Sequence, residues 1–153
     1  MQYRLATEPD FEQLARLRWD YVDEMEELTE WDQDVFIRHF CTFLQAQIGS
    51  RYVCWVAEEA GKIVSNVFIG VIEKVPKPFS SGNLIGYVTN VYTHPDYRNQ
   101  GIGSELMDRV QDWAKTHAFE VLFVRPTEPS IPFYERHAFA EADGLMAYFS
   151  RSL

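Results

Sequence analysis

Residues 84–104 combine the residue types needed to bind a phosphate group. A β-rich run, Leu84 to Thr93, stops at His94-Pro95, and a short polar loop then leads to Gly101 and Gly103 at the start of a helical pattern. A helix N-terminus presents unbonded backbone N–H groups and partial positive charge, which together attract an anion. Glycines let the backbone approach a phosphate where a Cβ would block it. The stretch therefore predicts an anion-binding loop between a strand and a helix.

The spacing of this loop differs from that of the two commonest phosphate-binding motifs. A G-x-G-x-x-G sequence would need Gly where Leu106 stands, and the Gly-Lys-Ser/Thr of a Walker loop is absent. The pattern that is present, Arg98-x-x-Gly101-x-Gly103, resembles the acyl-CoA pyrophosphate loop of the GNAT superfamily of N-acetyltransferases. That family pattern is Arg/Gln-x-x-Gly-x-Gly/Ala. The resemblance implies acetyl-CoA as the acyl donor and no metal.

The resemblance also implies how acetyl-CoA binds. We expect it to lie between the strand that ends at Thr93 and a strand around residues 121–124, with the two strands splayed apart. Backbone groups of Val91, Tyr92 and Thr93 would pair with the pantetheine amides as an added strand does. An N–H near Val91 or Tyr92 would polarise the thioester carbonyl. The pyrophosphate would be bound by Arg98, Asn99, Gln100, Gly101, Ile102, Gly103 and Ser104.

A second motif, the octapeptide 132–139 (Pro-Phe-Tyr-Glu-Arg-His-Ala-Phe), resembles the GNAT segment in which Phe-Tyr precedes Gly-Phe. In that family the Tyr hydroxyl lies near the sulfur of the leaving coenzyme A. The resemblance therefore makes Tyr134 the candidate general acid, since a phenol can protonate a departing thiolate. This chain has Thr127 where Asn is frequent in the family, and Ala138 where Gly is frequent. The second change predicts a helix end without a glycine cap.

The motifs leave the general base open. Many family members carry Glu on the motif strand, where this chain has Thr89 and Asn90, and no carboxylate lies between residues 83 and 93. The alternatives are Glu58, Glu73, a water held by Thr89 and Asn90, or a carboxylate from the N-terminal helices. The two cysteines lack a local setting that would lower a thiol pKa, so we expect direct attack by the amine.

The remaining pattern predicts the elements that position these residues. One domain over residues 1–153 is expected, with a mixed α+β fold and a mostly antiparallel central sheet of six to seven strands covered by helices on both faces. The continuous apolar run at 120–124 predicts a buried, central strand. Strands are predicted at Gln2–Ala6, Arg51–Glu58, Ile63–Val75, Leu84–Thr93, Glu120–Val124, Phe139–Ala142 and Leu145–Ser150, and helices at Thr7–Met25, Asp34–Ile48, Gly101–His117 and Ser130–His137.

Composition excludes several classes of protein. The net charge of −9 argues against nucleic-acid binding. No stretch approaches the roughly 20 apolar residues of a membrane span, and the first residues lack the apolar core of a signal peptide. Cys41 and Cys54 are neither clustered nor near a histidine pair, which is typical of reduced, buried side chains. We therefore expect a cytoplasmic protein.

The charge is concentrated at the N-terminus, where residues 1–34 hold eleven acidic and three basic side chains. In the resembling fold the first two helices line the acceptor site, and acids there would attract a cation. The sequence therefore favours an N-acetyltransferase acting on a primary amine, with a small cationic amine expected as substrate. A protein or peptide N-acetyltransferase and a non-catalytic acyl-CoA-binding module are the alternatives. The acceptor, the length of the acyl group and the oligomeric state, a homodimer included, remain open.

Overall fold

The computed structural model describes residues 1–25, 31–78 and 82–142. Short 3-10 turns lie at Glu8–Asp10, Pro95–Tyr97 and Glu128–Ser130, each before a helix. The main elements, in chain order, are β1 Gln2–Leu5, α1 Phe11–Glu24, α2 Gln33–Gln47, β2 Tyr52–Glu59, β3 Lys62–Glu73, β4 Leu84–Thr93, α3 Ile102–Thr116, β5 Phe119–Val124 and α4 Ile131–Arg136.

The described strands form one mixed sheet in the order β1-β2-β3-β4-β5. Neighbours from β1 to β4 pair antiparallel, whereas β4 and β5 are parallel and are connected through α3. The twelve residues of β3 include eight consecutive buried ones, as expected for a strand with helices on both faces. The central buried strand of the described sheet is therefore β3.

Two predictions about the strands are wrong. The predicted sheet has six to seven strands, and the described part of the chain has five, because residues 139–142 follow α4 without forming a strand. The other predicted strand, 145–150, lies outside the described residues. Within those residues β5 pairs only with β4 and leaves Val121 exposed, so it is an edge strand. The sequence predicts a central position for this strand because a buried central strand and an edge strand with large apolar side chains have the same local composition.

Helices cover both faces of the sheet, as predicted. Side chains on successive strand residues point to opposite faces, so Phe68 packs with Leu14 and Leu44 of the two N-terminal helices. Its neighbours in β3 pack with α3 on the other face, where the core consists of Val64, Val67, Ile69, Val88, Leu106, Met107 and Val110. The cleft described below lies at one end of this two-faced sheet.

The start of α1 is tied to the sheet by a buried carboxylate. Asp10 accepts a hydrogen bond from the Thr7 backbone N–H at 2.7 Å, which fits the predicted helix start at Thr7. Arg4 of β1 donates to both oxygens of Asp10 at 2.6 and 2.7 Å and also to Glu58 of β2. This arginine lowers the pKa of Asp10, so the carboxylate stays ionised although it is buried.

Candidate active site

The two parallel strands β4 and β5 separate at their C-terminal ends. Their pairing stops at Val88 opposite Val124, whereas β4 continues to Thr93. Residues 89–93 therefore have no partner on the β5 side among the described residues. A strand edge of this kind leaves backbone N–H and C=O groups open to an added, strand-like ligand.

A β-bulge at Asn90 turns this part of β4. On β3, Phe68 lies opposite Thr89 and Asn66 lies opposite Tyr92, so β4 carries one extra residue. Asn90 has a φ of 46°, in the left-handed region that Asn tolerates better than most residues. The Asn66 side chain, 1% exposed, donates to the Asn90 carbonyl oxygen and fixes the bulge. The bulge shifts the register of β4 by one residue beside the gap between the strands, and the pairing with β3 resumes at Tyr92 and Thr93.

The gap opens into a cleft of about 990 Å³. This volume lies at the upper end of the roughly 300–1,000 Å³ that is usual for ligand sites. Gln100 is the one predicted site residue that does not line it, and its side chain instead donates to the Asp96 carbonyl oxygen at 3.2 Å. The predicted residues that do line it are Val91, Tyr92, Thr93, Arg98, Asn99, Gly101, Ile102, Gly103, Ser104 and Tyr134.

The loop and the start of α3 form the end of the cleft that suits an anion. Asn99 and Gly101 both have positive φ, 60° and 79°, and the second turns the chain directly into the helix. The first helical hydrogen bond runs from the Glu105 N–H to the Gly101 carbonyl oxygen at 3.0 Å. The N–H groups of residues 102–104 therefore have no acceptor within the helix, and no side chain caps this end.

Gly103 leaves open space in the cleft without being required by the backbone. A Cβ built there would lie 3.5 Å from the Thr93 Oγ1 atom and 3.7 Å from the Phe133 ring, which are ordinary contact distances. All three residues line the cleft, so the Cβ would occupy part of it without clashing with the protein. The absence of a side chain at this position thus widens the cleft beside the free N–H groups.

Arg98 pairs with a carboxylate from α1 in the structure. Its Nη1 and Nη2 atoms donate to the two oxygens of Glu24 at 2.6 and 2.7 Å, and its Nε donates to the Thr93 carbonyl oxygen at 2.9 Å. The Tyr92 hydroxyl donates to the same carboxylate at 3.1 Å. The hydrogen bond from the Arg98 guanidinium is the main reason why the pKa of Glu24 is lowered. Arg98 therefore links the loop to β4 and to α1, while its predicted contact with pyrophosphate stays a prediction.

Tyr134 on α4 is 8% exposed and lines the cleft. Burial raises the pKa of its phenol to about 12, and the nearby Tyr21 and Tyr87 add to this effect. The group is therefore protonated at neutral pH and can donate a proton. Behind it, Ala138 ends the short helix with a φ of 59°, the left-handed conformation that Gly adopts at lower cost.

The predicted base candidates fall into two groups. Glu58 is bound to Arg4 across the sheet, and Glu73 lies at the far end of β3, where it accepts a hydrogen bond from Asn83. Neither lines the cleft, whereas Thr89 and Asn90 do. Glu24 is the one carboxylate among the described lining residues, and it is engaged as given above. The arrangement favours a water at residues 89 and 90 over any described carboxylate as the route for the amine proton.

The charge of the cleft is opposite to the charge of the chain. Apart from Glu24, the charged side chains among the described lining residues are four arginines, Arg18, Arg98, Arg125 and Arg136. The expected acidic wall is not formed by Asp20 and Asp23, which are exposed and do not line the cleft. The other predicted acids of this region, residues 26, 27 and 30, lie outside the described residues. The cationic cleft suits a ligand with phosphate groups.

A smaller pocket of about 160 Å³ adjoins the cleft and was not predicted. The two share Arg18, Thr89 and Asn90, so they meet at the bulge. Four aromatic residues, Phe40, Phe43, Tyr52 and Phe68, complete the lining of the smaller pocket. The sequence indicates this pocket only through the phenylalanines on one face of α2, whose spacing is equally typical of core packing.

The described residues include neither a metal-binding cluster nor a membrane-spanning helix. No group of three or more His, Cys, Asp or Glu side chains in this part of the chain is placed to hold a metal ion. None of the helices within 1–25, 31–78 and 82–142 is long and apolar enough to cross a bilayer.

A cleft that offers an open strand edge, free N–H groups at a helix start and a protonated phenol is that of an acyltransferase that uses an acyl-CoA donor. The model of the acetyltransferase (GNAT) family matches residues 10–139, and the chain belongs to this family. It is therefore an acetyl-CoA-dependent acetyltransferase.

Solved structures show the same fold over nearly the whole chain. A predicted acetyltransferase with acetyl-CoA from Clostridium acetobutylicum is similar at 25% identity and a TM-score of 0.75, with 97% of this chain and 95% of that chain covered. A ribosomal-protein-alanine N-acetyltransferase from Brucella melitensis biovar Abortus 2308 is 21% identical, with a TM-score of 0.71 over 99% and 100% of the two chains.

An aminoglycoside acetyltransferase from an uncultured soil metagenomic sample, in complex with sisomicin, is 22% identical, with a TM-score of 0.68 over 99% and 95% of the two chains. The second and third structures share the fold and do not identify the acceptor of this chain. No curated protein matches the chain in a sequence comparison.

Proposed function

We propose that residues 1–153 act as one N-acetyltransferase domain, which transfers an acetyl group from acetyl-CoA to the primary amine of a small molecule. The observation that carries this proposal is that one cleft holds the open edge of β4, the free N–H groups of α3 and the Tyr134 phenol. These three features suit the pantetheine arm, the pyrophosphate and the departing sulfur of one donor molecule.

The chain's own groups fit acetyl-CoA along its length. The backbone of Val91 to Thr93 is free on the β5 side to pair with the pantetheine amides, and the bulge presents its N–H groups toward the thioester carbonyl. The N–H groups of residues 102–104 receive the pyrophosphate, with Gly103 leaving the space for it. Arg98 acts in this proposal mainly by holding the loop in place, because its charge is already paired with Glu24.

The reaction forms one amide N–C bond and breaks the thioester C–S bond, with no covalent enzyme intermediate. A neutral amine attacks the carbonyl carbon, and Tyr134 donates its proton to the leaving sulfur. The raised pKa of this phenol keeps it in the protonated form that the step requires. Neither cysteine serves as a nucleophile, because burial raises the pKa of Cys54 and of Cys41 and keeps both thiols protonated.

Water removes the proton from the amine in this proposal. Thr89 and Asn90 supply polar groups to hold that water beside the bulge, and no described carboxylate in the cleft is free to act instead. Such a site works on the fraction of the amine that is neutral in solution. The rate should therefore rise with pH through the pKa of the acceptor amine rather than through that of a protein carboxylate.

The pocket beside the bulge limits the size of the group that can accompany the acceptor amine. Its volume of about 160 Å³ is below the roughly 300–1,000 Å³ of sites that enclose a whole ligand, so it suits one side chain or a small alkyl group. The sisomicin complex of the aminoglycoside acetyltransferase is an instance of a small acceptor on the same fold. The ribosomal-protein-alanine enzyme is an instance of a protein acceptor, so both belong in the test.

The test is acetyl-CoA binding by calorimetry together with a thiol-release screen over amino acids, polyamines, amino sugars and short peptides. Micromolar-to-millimolar binding and amine-dependent release of free thiol are the expected results. Absence of binding in that range would overturn the assignment of the cleft. Binding with no amine-dependent release across the screen would instead support the non-catalytic acyl-CoA-binding module.

A further inference from the structure

Arg18 places a positive charge at the junction of the two cavities. Its side chain lines both, its Nη1 donates to the Asn90 Oδ1 atom at 3.2 Å, and its guanidinium carbon lies 5.0 Å from the centre of the Tyr21 ring. The contact with Asn90 places the cation beside the bulge, where the acetyl group is attacked in the proposed reaction. An amide oxygen and an aromatic ring are both uncharged, so neither contact balances the positive charge of the guanidinium.

Arg18 has no carboxylate partner among the described residues, whereas Arg98, which lines the same cleft, is paired with Glu24. Both contacts that Arg18 makes are with uncharged groups, so neither of them balances its charge. The geometry is that of a site prepared for an anionic group of a ligand.

The adjoining pocket adds a second requirement, an apolar group. Apart from the three residues shared with the cleft, its walls are aromatic. The rings of Phe43 and Tyr52 pack edge-on at 5.4 Å and those of Phe40 and Phe68 at 6.3 Å, so the walls support one another across α2, β2 and β3. Such walls favour an aromatic or branched aliphatic group over a polar one.

We propose that the acceptor is an α-amino acid with an aromatic or branched aliphatic side chain. Its carboxylate binds Arg18, its side chain enters the aromatic pocket, and its amine lies at the Asn90 bulge. The proposal rests on the N-acetyltransferase function given above and specifies the substrate class of that site. Because Arg18 and the bulge are in direct contact, the amine and the carboxylate of the ligand must be close neighbours, as they are across a single α-carbon.

The same geometry disfavours a polyamine, one form of the small cationic amine expected from the acidic N-terminus. A second ammonium group would face the unpaired Arg18, and the described carboxylate of the cleft, Glu24, is held by Arg98. Bringing a cation next to an unpaired cation in a partly desolvated site is unfavourable.

The acetylation balances in atoms and protons. The α-amine forms the amide bond and releases one proton to water, the leaving sulfur takes one proton from Tyr134, and the tyrosinate regains a proton from water.

The experiment compares each amino acid with its own amide. L-Leucine and L-phenylalanine are paired with L-leucinamide and L-phenylalaninamide, which keep the amine and the side chain and lose the carboxylate charge. Glycine lacks the side chain, and spermidine represents the polyamines. The values of kcat/KM are referred to the neutral fraction of each amine, because the α-amine of an amino acid amide has a lower pKa than that of the acid. On that basis we expect kcat/KM of the wild-type enzyme for the acids to exceed that for the amides by about 10- to 100-fold, the factor of a charge-assisted hydrogen bond. Glycine and spermidine should be poor substrates.

Variants of Arg18 test whether the preference for the acid over the amide comes from this side chain. Arg18→Gln should abolish the preference for acid over amide, and Arg18→Lys should restore part of it. Arg16→Gln is the matched control, because Arg16 lies on the same helix, is 52% exposed at its side chain and pairs with Glu12 outside the cleft. Acetyl-CoA affinity, measured for all three variants, separates an effect on the acceptor from an effect on the donor. Phe43→Ala, at the partly exposed rim of the pocket, should reduce the advantage of leucine over glycine.

Binding without turnover separates this inference from the proposed function. Calorimetric titration of L-leucine and L-leucinamide into the coenzyme A complex should show tighter binding of the acid, dependent on Arg18. Turnover of amines with no preference for the acid would overturn the inference and leave the function standing. If no amine is turned over, the function fails, and the titration still decides whether the amino acid binds. Equal binding of acid and amide would then overturn the inference as well.

Discussion

Gly103 allows the proposed phosphate-binding site at the start of α3 to be tested without destabilising the fold. Its added Cβ would meet the Thr93 hydroxyl at 3.5 Å and the Phe133 ring at 3.7 Å, so Gly103→Ala needs no shift of the protein. Unlike Gly101, Gly103 has no positive φ, so no backbone strain arises. Alanine favours a helix over glycine by up to about 1 kcal/mol, so the free energy of unfolding should stay the same or rise by that amount.

A larger side chain at the same position, in Gly103→Leu, should weaken acetyl-CoA binding, whereas the alanine that the family pattern accepts should change it little. The leucine side chain would fill space between Thr93 and Phe133, beside the N–H groups that Ile102, Gly103 and Ser104 leave unbonded. A phosphate that is pushed away from these groups loses at least one charge-assisted hydrogen bond, worth about 1.5–3 kcal/mol. The dissociation constant of acetyl-CoA should therefore rise by about 10- to 100-fold.

Urea denaturation and calorimetric titration measure the two effects separately. The informative control is Gly101→Ala, because Gly101 has open space around its Cβ position and a φ of 79°. That variant should lose about 1 kcal/mol of stability through backbone strain. Two results would refute the reasoning. One is unchanged acetyl-CoA affinity in Gly103→Leu. The other is a loss of stability in Gly103→Ala that is as large as in the control.

Two further predictions concern a proton donor and a helix start. Tyr134→Phe keeps the ring packing and should lower kcat by about 100-fold or more, while acetyl-CoA affinity stays within about twofold. In the wild type, the phenol pKa of about 12 predicts that ionisation of Tyr134 causes no loss of rate between pH 7 and 9. Wild-type turnover by the variant would exclude the acid role. Asp10→Asn should lower the free energy of unfolding at pH 7 by about 1–3 kcal/mol, because it weakens the hydrogen bonds to Arg4 and Thr7. The pKa of Asp10 is lowered in the folded state, so its contribution is fully present above the unfolded pKa of about 3.9 and is lost as pH falls through the folded pKa. Urea denaturation at a series of pH values should show the difference between variant and wild type narrowing in acid, and a constant difference would contradict the assignment.

Much of the fold was predictable because its signals are local. Each described helix and strand was expected within a few residues of its observed bounds, since side-chain periodicity and turn residues act over one or two turns of chain. The loop from Arg98 to Gly103 was predictable for the same reason. The order of strands in the sheet is a different matter, because it depends on which strands meet. The apolar strand at 119–124 was therefore placed in the centre of the sheet, and β3 occupies that position among the described strands.

The sequence by itself determined the family and the residues of the proposed donor site. The loop and the motif tyrosine lie on short segments, so their residue types and spacing can be recognised in the sequence. Only the tertiary structure brings together the residues of the proposed acceptor site. Arg18 meets Asn90 and Arg98 meets Glu24 across separations of 72 and 74 residues, where no local pattern links the partners. These contacts form only when α1 packs across β4, and they turn an acidic N-terminal segment into the cationic wall of a cleft.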